Sequence, residues 1–393
     1  MSVNEKFTAL ADEIRELSGT DTPKGLDDMI ADVDSANTEV DEQSGLIEQI
    51  AVALEGKMCG DKDKLAELLE GTITEYSNPT VTQTTAYAFI NCSSLTSVRL
   101  PACIGIQDSA FQNCFSLASI SFPACTTIGN YAFSRCSMLT SINFPACTSM
   151  GASAFYYCTS LISASFPVCS SINAYAFYAC SRLTSINFPA CTVIDRYAFN
   201  TCSSLISVNF PSCMTVGSYA FCRCSNLESV SFPACVVIGS YTFTDCFKLT
   251  SVNFPVCRTI NPGAFSRCSR ITSVDLPSCV SIFTSAFIGC SGLSRVALGF
   301  DTLSASTAVY PNIYQMAFSE CTNLTTLKLY WPSVAALQGI NAFQTTPMSN
   351  STYTGSFGSI YVPASLVDAY KSATNWATYA DRITALESLD STD

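Results

Sequence analysis

The chain has 393 residues with no histidine, 31 acidic against 19 basic side chains, and 22 cysteines. The absence of histidine excludes Ser-His and Cys-His nucleophile pairs. Charge is lopsided: residues 1–75 hold 19 acids and 6 bases, residues 76–393 hold 12 and 13, so neither part offers the dense basic patch that a nucleic acid needs.

At the N-terminus, Val3, Phe7, Leu10, Ile14 and Leu17 are spaced 4-3-4-3, which predicts an amphipathic helix. After a break at Gly19 to Gly25, Leu26, Val33, Val40, Ile47 and Leu54 recur every seven residues. Met29, Ala36, Gln43 and Ile50 fill the partner column, so residues 1–57 read as an acidic α-helical, coiled-coil-like module. Two arrangements stay open: self-association through the Leu26 to Leu54 column, or a helical hairpin within one chain. Residues 58–80 read as a short helix, from Asp61 as N-cap to Gly71 as stop, and a first irregular strand at Thr72 to Tyr76 that forms an N-terminal cap. Met1 to Phe7 lacks the basic start and apolar run of a secretory signal. No stretch is long and apolar enough to span a membrane, so no membrane insertion is expected.

From residue 81 one rule takes over. Phe89, Phe111, Phe133, Phe155, Phe177, Phe199, Phe221, Phe243, Phe265 and Phe287 stand at a constant 22-residue spacing. A fixed period of this size marks a solenoid, whose coils can bury their apolar faces only against their neighbours. Further columns share the period: Leu95 to Leu293, Val98 to Val296, Leu100 and Phe122 to Leu298, and Ile106 to Ile282. Their spacing, L-x-x-V-x-F-x-x-C-x-x-I, is the leucine-rich-repeat pattern. Val98 and Leu100 are two apart, so both point inward from one short parallel strand per coil, and Pro101 suits its end. The A-F-x-x-C half is expected to close the coil as a turn or short helical piece. The period breaks after residue 298, since Phe287 to Phe318 is 31 residues and Phe318 to Phe343 is 25. Gly299 to Gln315 therefore reads as a loop insertion. The array runs over 81–343, and 344–393 form a C-terminal cap.

The repeat A-F-x-x-C-x-x-L-x-S-V-x-F-P resembles the BspA-like (Treponema-type) leucine-rich repeats, with a 22-residue unit. The tail Ile360 to Lys371, followed by Asn375-Trp376-Ala377, is similar to the C-terminal cap of that family. The resemblance implies an α+β leucine-rich-repeat solenoid, a role in surface adhesion and ligand binding, and no shared catalytic residues. The head, with A-L-A-D-E-I-R-E-L-S-G-T, G-L-D-D-M-I-A-D-V and A-L-E-G-K, resembles N-terminal segments of tail-associated proteins in phages and prophages of gut Firmicutes. That implies a virion attachment module joined to a recognition array.

The cysteines follow the repeat. Cys92 to Cys290 form one 22-residue ladder, which Cys321 continues; Cys103 to Cys279 form a second, and only Cys59 and Cys222 stand outside. A cysteine once per coil in an apolar column behaves as a small buried hydrophobe. Inter-coil bridges are the rival, because coils ~4.8 Å apart fall within disulfide reach. No metal and no cofactor is expected, for there is no His and no paired C-x-x-C. Asp108, Asp195, Glu228, Asp245 and Asp275 occupy different columns, so no carboxylate pair is set for glycoside hydrolysis. Cys222 beside Arg223 reads as an exposed substitution or a reactive thiol.

The chain is therefore expected to be a non-enzymatic recognition protein. Outward strand positions form a Ser column (Ser97 to Ser273) and a Ser/Asn column that includes Asn187 and Asn209. Variation concentrates just after each Phe, at Tyr156, Tyr157, Tyr178, Asn200, Arg223, Asp245 and Arg267. Tyr131, Tyr175, Tyr197, Tyr219 and Tyr241 form a column two before Phe, read as structural stacking. Tyr and Arg are enriched at binding surfaces, so Tyr156, Tyr157, Tyr178, Arg223, Arg267, Asn187 and Asn209 are the candidate ligand-binding residues. The expected partner is a bacterial envelope glycan or surface protein, met from a phage tail or fibre. A cell-surface adhesin and a structural spacer are the alternatives.

Overall fold

The computed structural model describes residues 73–299, 311–349 and 357–386. The helical head of residues 1–57, its Leu26, Val33, Val40, Ile47 and Leu54 column, and the Asp61 to Gly71 helix lie outside the described residues. So does 300–310, the middle of the expected insertion. Two compact units are present: one runs to Cys169 and includes Ala179–Ser181, the other consists of Ser170–Tyr178 and the chain from Arg182.

Both units are parallel β-solenoids with leucine-rich repeats, and each coil carries two strands rather than the single one expected. In the first unit a three-residue strand, Ser97–Arg99, is followed by a two-residue strand, Gly105–Ile106. In the second, Ser207–Asn209 is followed by Thr215–Val216. Register is in phase, each residue pairing with its equivalent in the next coil: Ser207 with Ser229, Val208 with Val230, Asn209 with Ser231. The shorter strand pairs in the same way, Thr215 with Val237 and Val216 with Ile238. The extra strand arises because Thr215 and Val216 are β-branched and the coil has already turned at Pro211 and Ser212. Period-2 alternation holds: Val208 is buried between exposed Ser207 and Asn209.

The A-F-x-x-C segment is all turn, with no helical piece in either unit. The reason is a backbone constraint on both sides of each Phe. Tyr219 has φ +60° and Arg223 φ +62°, and Tyr131 and Arg135 of the first unit have +54° and +62°. A left-handed residue costs an L-amino acid roughly 1–2 kcal/mol and ends a right-handed helix. The cost is offset by a third inter-coil ladder. Tyr219 N–H donates to Ser240 O at 2.9 Å, Phe221 N–H to Thr242 O at 2.9 Å, and Arg223 N–H to Thr244 O at 2.8 Å. The array is thus β and turn; among the described residues the one α-helix is Val367–Ser372, near the C-terminus.

Phe rings fill the core in two columns. Successive rings of the main column stack at 5.0–5.2 Å from Phe89 to Phe155 and at 5.1–5.7 Å from Phe177 to Phe343. The stack continues across the break in period, because Phe287 and Phe318 are 5.4 Å apart. The second column runs Phe210–Phe232–Phe254, at 5.4 and 5.5 Å. Ladder cysteines are buried free thiols. Those of the first ladder donate Sγ–H to the Phe carbonyl of the preceding coil, as Cys224 does to Phe199 O at 3.2 Å. Those of the second donate within their own coil, as Cys235 does to Val237 O at 3.2 Å.

The open ends are covered. Glu75–Ser77 pairs in parallel with Ser97–Arg99, and Tyr76 packs on Phe89 at 4.9 Å. At the other end Ser359–Val362 pairs with the Thr326–Leu329 strand and then with Ile383–Ala385. Trp376 is fully buried there, and its Nε1–H donates to Ala335 O at 2.7 Å.

Candidate functional site

A groove of about 550 Å³ opens on the turn side of the second unit. Three positions of the repeat build it. Tyr197, Tyr219 and Tyr241, two before Phe, make one wall; Asn200, Cys222, Thr244 and Ser266, just after Phe, make the floor. Arg223, Asp245 and Arg267, two after Phe, make the other wall, and Tyr178 stands at one end.

The Tyr wall is a stack. Tyr175 to Tyr197 and Tyr197 to Tyr219 are each 4.8 Å between ring centroids, nearly parallel, and Tyr219 to Tyr241 is 5.0 Å at 15°. The left-handed backbone at each Tyr turns the ring outward, and the 22-residue register places the next ring one coil away. Inner rings cover each other's faces, so the wall offers ring edges and phenol hydroxyls rather than open π-faces. Burial and the neighbouring Tyr197 and Tyr241 push the Tyr219 phenol above its usual range, so it stays a neutral donor and acceptor.

The opposite wall is charged. Arg267 grips Asp245 with two bonds, Nε to Oδ1 at 2.6 Å and Nη2 to Oδ2 at 2.9 Å. That bidentate fork is the strong form of the Arg–carboxylate pair. Arg223 approaches the same carboxylate only to 3.9 Å and its side chain is 71 % exposed. The floor holds its polar groups in fixed orientations. Asn200 Nδ2 donates to Tyr219 O at 3.3 Å while its Oδ1 accepts from Thr201 Oγ1 at 2.7 Å; Thr244 Oγ1 donates to Gly263 O at 2.8 Å.

Of the residues expected from sequence, Tyr178, Arg223 and Arg267 meet in this groove. Tyr156 and Tyr157 belong to the first unit and pack on each other at 4.7 Å. Asn187 and Asn209 lie on the strands Ser185–Asn187 and Ser207–Asn209, exposed and away from the groove lining. Two expectations are corrected. Cys222 is 6 % exposed and forms part of the floor, because it sits in the turn between the left-handed residues Tyr219 and Arg223. Burial first, then the Asp245 charge, push its thiol up to about 11, so it is not a reactive thiolate despite Arg223. The Tyr column does stack, but Tyr197, Tyr219 and Tyr241 also line the groove. What sequence reasoning missed was that three columns at Phe−2, Phe+1 and Phe+2 converge. The signal was present in the Asn, Asp and Gly that recur at Phe+2 (Asn91, Asn113, Asp245, Gly289), residues that tolerate positive φ.

No group of three or more His, Cys, Asp or Glu among the described residues is arranged to hold a metal ion. No helix among them is long and apolar enough to cross a membrane.

The BspA type leucine rich repeat region model, in 6 copies, matches residues 72–170, 170–294 and 237–364. The chain belongs to the BspA-type leucine-rich-repeat family. Among solved structures, a leucine-rich repeat protein from Bacteroides ovatus is 26% identical with a TM-score of 0.58; the match covers 80% of this chain and 84% of that one. The leucine rich repeat protein of T. pallidum is 25% identical over 55% of this chain and 85% of its own, with a TM-score of 0.36. A leucine rich cell surface protein from Faecalibacterium prausnitzii is 22% identical over 65% and 88%, with a TM-score of 0.34. The last two superimpose too loosely to bear on this BspA-type chain. No curated protein matches it.

Proposed function

We propose that this BspA-type chain is a non-catalytic recognition protein that uses the Tyr178–Arg267 groove to hold a ligand on a bacterial envelope. One observation carries the reading. The strand faces are monotonous Ser, Thr and Asn, whereas the groove gathers stacked tyrosines, an exposed arginine and an Arg–Asp pair in one concavity. Tyr and Arg are the residues that dominate binding energy at interfaces. Membership of a repeat family related to bacterial surface proteins supports a binding or adhesion role outside the cell. The narrower setting is a phage tail or fibre, with residues 1–57 as the attachment and self-association module. That part rests on the resemblance of the head alone. A cell-surface adhesin uses the same groove with a different anchor.

Labelled protein of residues 1–393 is expected to decorate intact cells in a panel of gut bacteria. A Tyr197→Ser/Tyr219→Ser variant is expected to lose most of that binding. Serine already occupies this left-handed column at Ser109, Ser153 and Ser285, with φ of 54–58°, so the backbone accepts the change. Undiminished decoration by the variant would remove the groove from the function. Absence of decoration by both proteins would leave a structural spacer in a larger assembly as the better reading.

A further inference from the structure

Within that recognition reading, we infer that the groove selects an acidic polysaccharide, with Arg223 receiving the anionic group and the tyrosine hydroxyls receiving sugar hydroxyls. The inference rests on which groups are already engaged. Asp245 is 8 % exposed and its two oxygens are taken by Arg267 at 2.6 and 2.9 Å. Those two charges cancel within the wall. Arg223 shares that carboxylate only as a weaker second ion pair, 3.9 Å from Oδ2 and with its side chain mostly in solvent, so two arginines against one aspartate leave the groove net positive. A guanidinium so placed still has N–H donors to direct at a carboxylate or phosphate, and such charge-assisted bonds are about twice as strong as neutral ones.

The rest of the lining favours a hydroxyl-rich ligand over an apolar peptide. The inner tyrosine faces are covered by the next ring, at 4.8 and 5.0 Å, so little aromatic face is open to an apolar side chain. What remains is a row of phenol hydroxyls repeating at that spacing along the coil direction. Asn200, Thr244 and Ser266 add amide and hydroxyl groups below it. A row of donors and acceptors at one interval suits a chain whose own hydroxyls repeat. An acidic peptide would engage Arg223 yet leave the hydroxyl row unmatched.

The test measures retention of the full chain, with Arg223→Gln and Tyr219→Phe variants, on immobilised polygalacturonate, a phosphomannan, dextran and poly-glutamate. Both substituted side chains face solvent or keep the ring, so folding is checked by an unchanged melting midpoint. Wild type is expected to bind an acidic glycan at low salt. Loss of one charge-assisted contact lowers affinity by roughly ten- to a hundredfold, which is the loss expected for Arg223→Gln. Tyr219→Phe is expected to lose several-fold, and dextran and poly-glutamate to bind weakly. Preference for polygalacturonate or for phosphomannan identifies the anion as carboxylate or phosphate. Equal binding of wild type and Arg223→Gln to either acidic glycan would overturn the inference, as would poly-glutamate binding as tightly as both glycans. If the chain decorates cells while ignoring both acidic glycans, the ligand class is wrong and recognition stands; if it does neither, recognition itself fails.

Discussion

The ring of Tyr241 lies over Gly263: a Cβ on Gly263 would stand 2.4 Å from Cδ1 and Cε1 of that ring. Gly263 occupies the tyrosine column at φ +64°, so the stack ends there and the last ring leans into the space a side chain would fill. The 15° tilt of Tyr241 on Tyr219, against 3° for Tyr219 on Tyr197, records that lean. Gly263→Ala should therefore push Tyr241 back and add the left-handed penalty, costing about 1–2 kcal/mol. A lowered melting midpoint together with changed ligand affinity is expected. An unchanged midpoint would mean that the ring moves at no cost.

Asp245→Asn should act on charge more than on stability. Asparagine accepts the φ of +63° found at Asp245. Asp245 itself is largely buried, but its partner Arg267 has a side chain that is 61 % exposed, so the freed guanidinium is hydrated and the stability cost is modest. The change frees Arg267 and raises the groove charge by one. Retention on an acidic glycan should rise and become more sensitive to salt; weaker retention would show that the Arg–Asp pair itself positions the ligand.

Phe199→Ala tests the core column. Phe199 is fully buried and stacks on Phe177 at 5.2 Å and on Phe221 at 5.1 Å. Removing a buried Phe costs about 3–5 kcal/mol through lost burial and the cavity left behind. The melting curve is expected to shift well below wild type, and a coincident curve would contradict the inward stack.

The thiol ladders set the behaviour at high pH. Burial pushes Cys235 up to about 11 and Cys257 up to about 12. An unfolded thiol ionises near ~8.5. Below that value both states hold the proton and the thiols do not change stability. Above it the unfolded chain loses protons while the fold keeps them, so stability falls by up to ~1.4 kcal/mol per pH unit for each such thiol. The loss continues until the folded thiols titrate, near 11 to 12 for this pair. The thiol contribution to the melting midpoint should be flat up to about pH 8 and drop beyond it. Cys235→Ala/Cys257→Ala should show a shallower drop, and equal slopes would place the cause elsewhere.

For residues 1–57, light scattering of the full chain against residues 72–393 measures the expected self-association. A larger particle for the full chain and a monomer for the array would support a stalk built on Leu26, Val33, Val40, Ile47 and Leu54. Two monomers would support the intramolecular hairpin.

The inward columns were legible because a solenoid repeats one environment. Phe199, Leu205, Val208 and Cys213 each recur every 22 residues, and only burial demands an apolar residue at each turn. The two-residue strand Thr215–Val216 was not legible, since two residues give no periodicity to read. The turn geometry at Phe−2 was hidden because Tyr219 is not a residue type associated with positive φ, whereas at Phe+2 the recurring Asn, Asp and Gly carried a signal that Arg223 and Arg267 obscured.

By itself, then, the sequence determined the repeat, its family and which side chains face inward, because those depend on spacing along the chain and on hydrophobicity alone. The groove was a tertiary decision. Tyr178, Asn200, Arg223, Asp245 and Arg267 come from five successive coils. They become neighbours only when in-phase parallel pairing holds those coils one strand spacing apart. Arg267 forks onto Asp245 at 2.6 and 2.9 Å while Arg223 stays at 3.9 Å, a difference set by the coil-to-coil register and not by residue type.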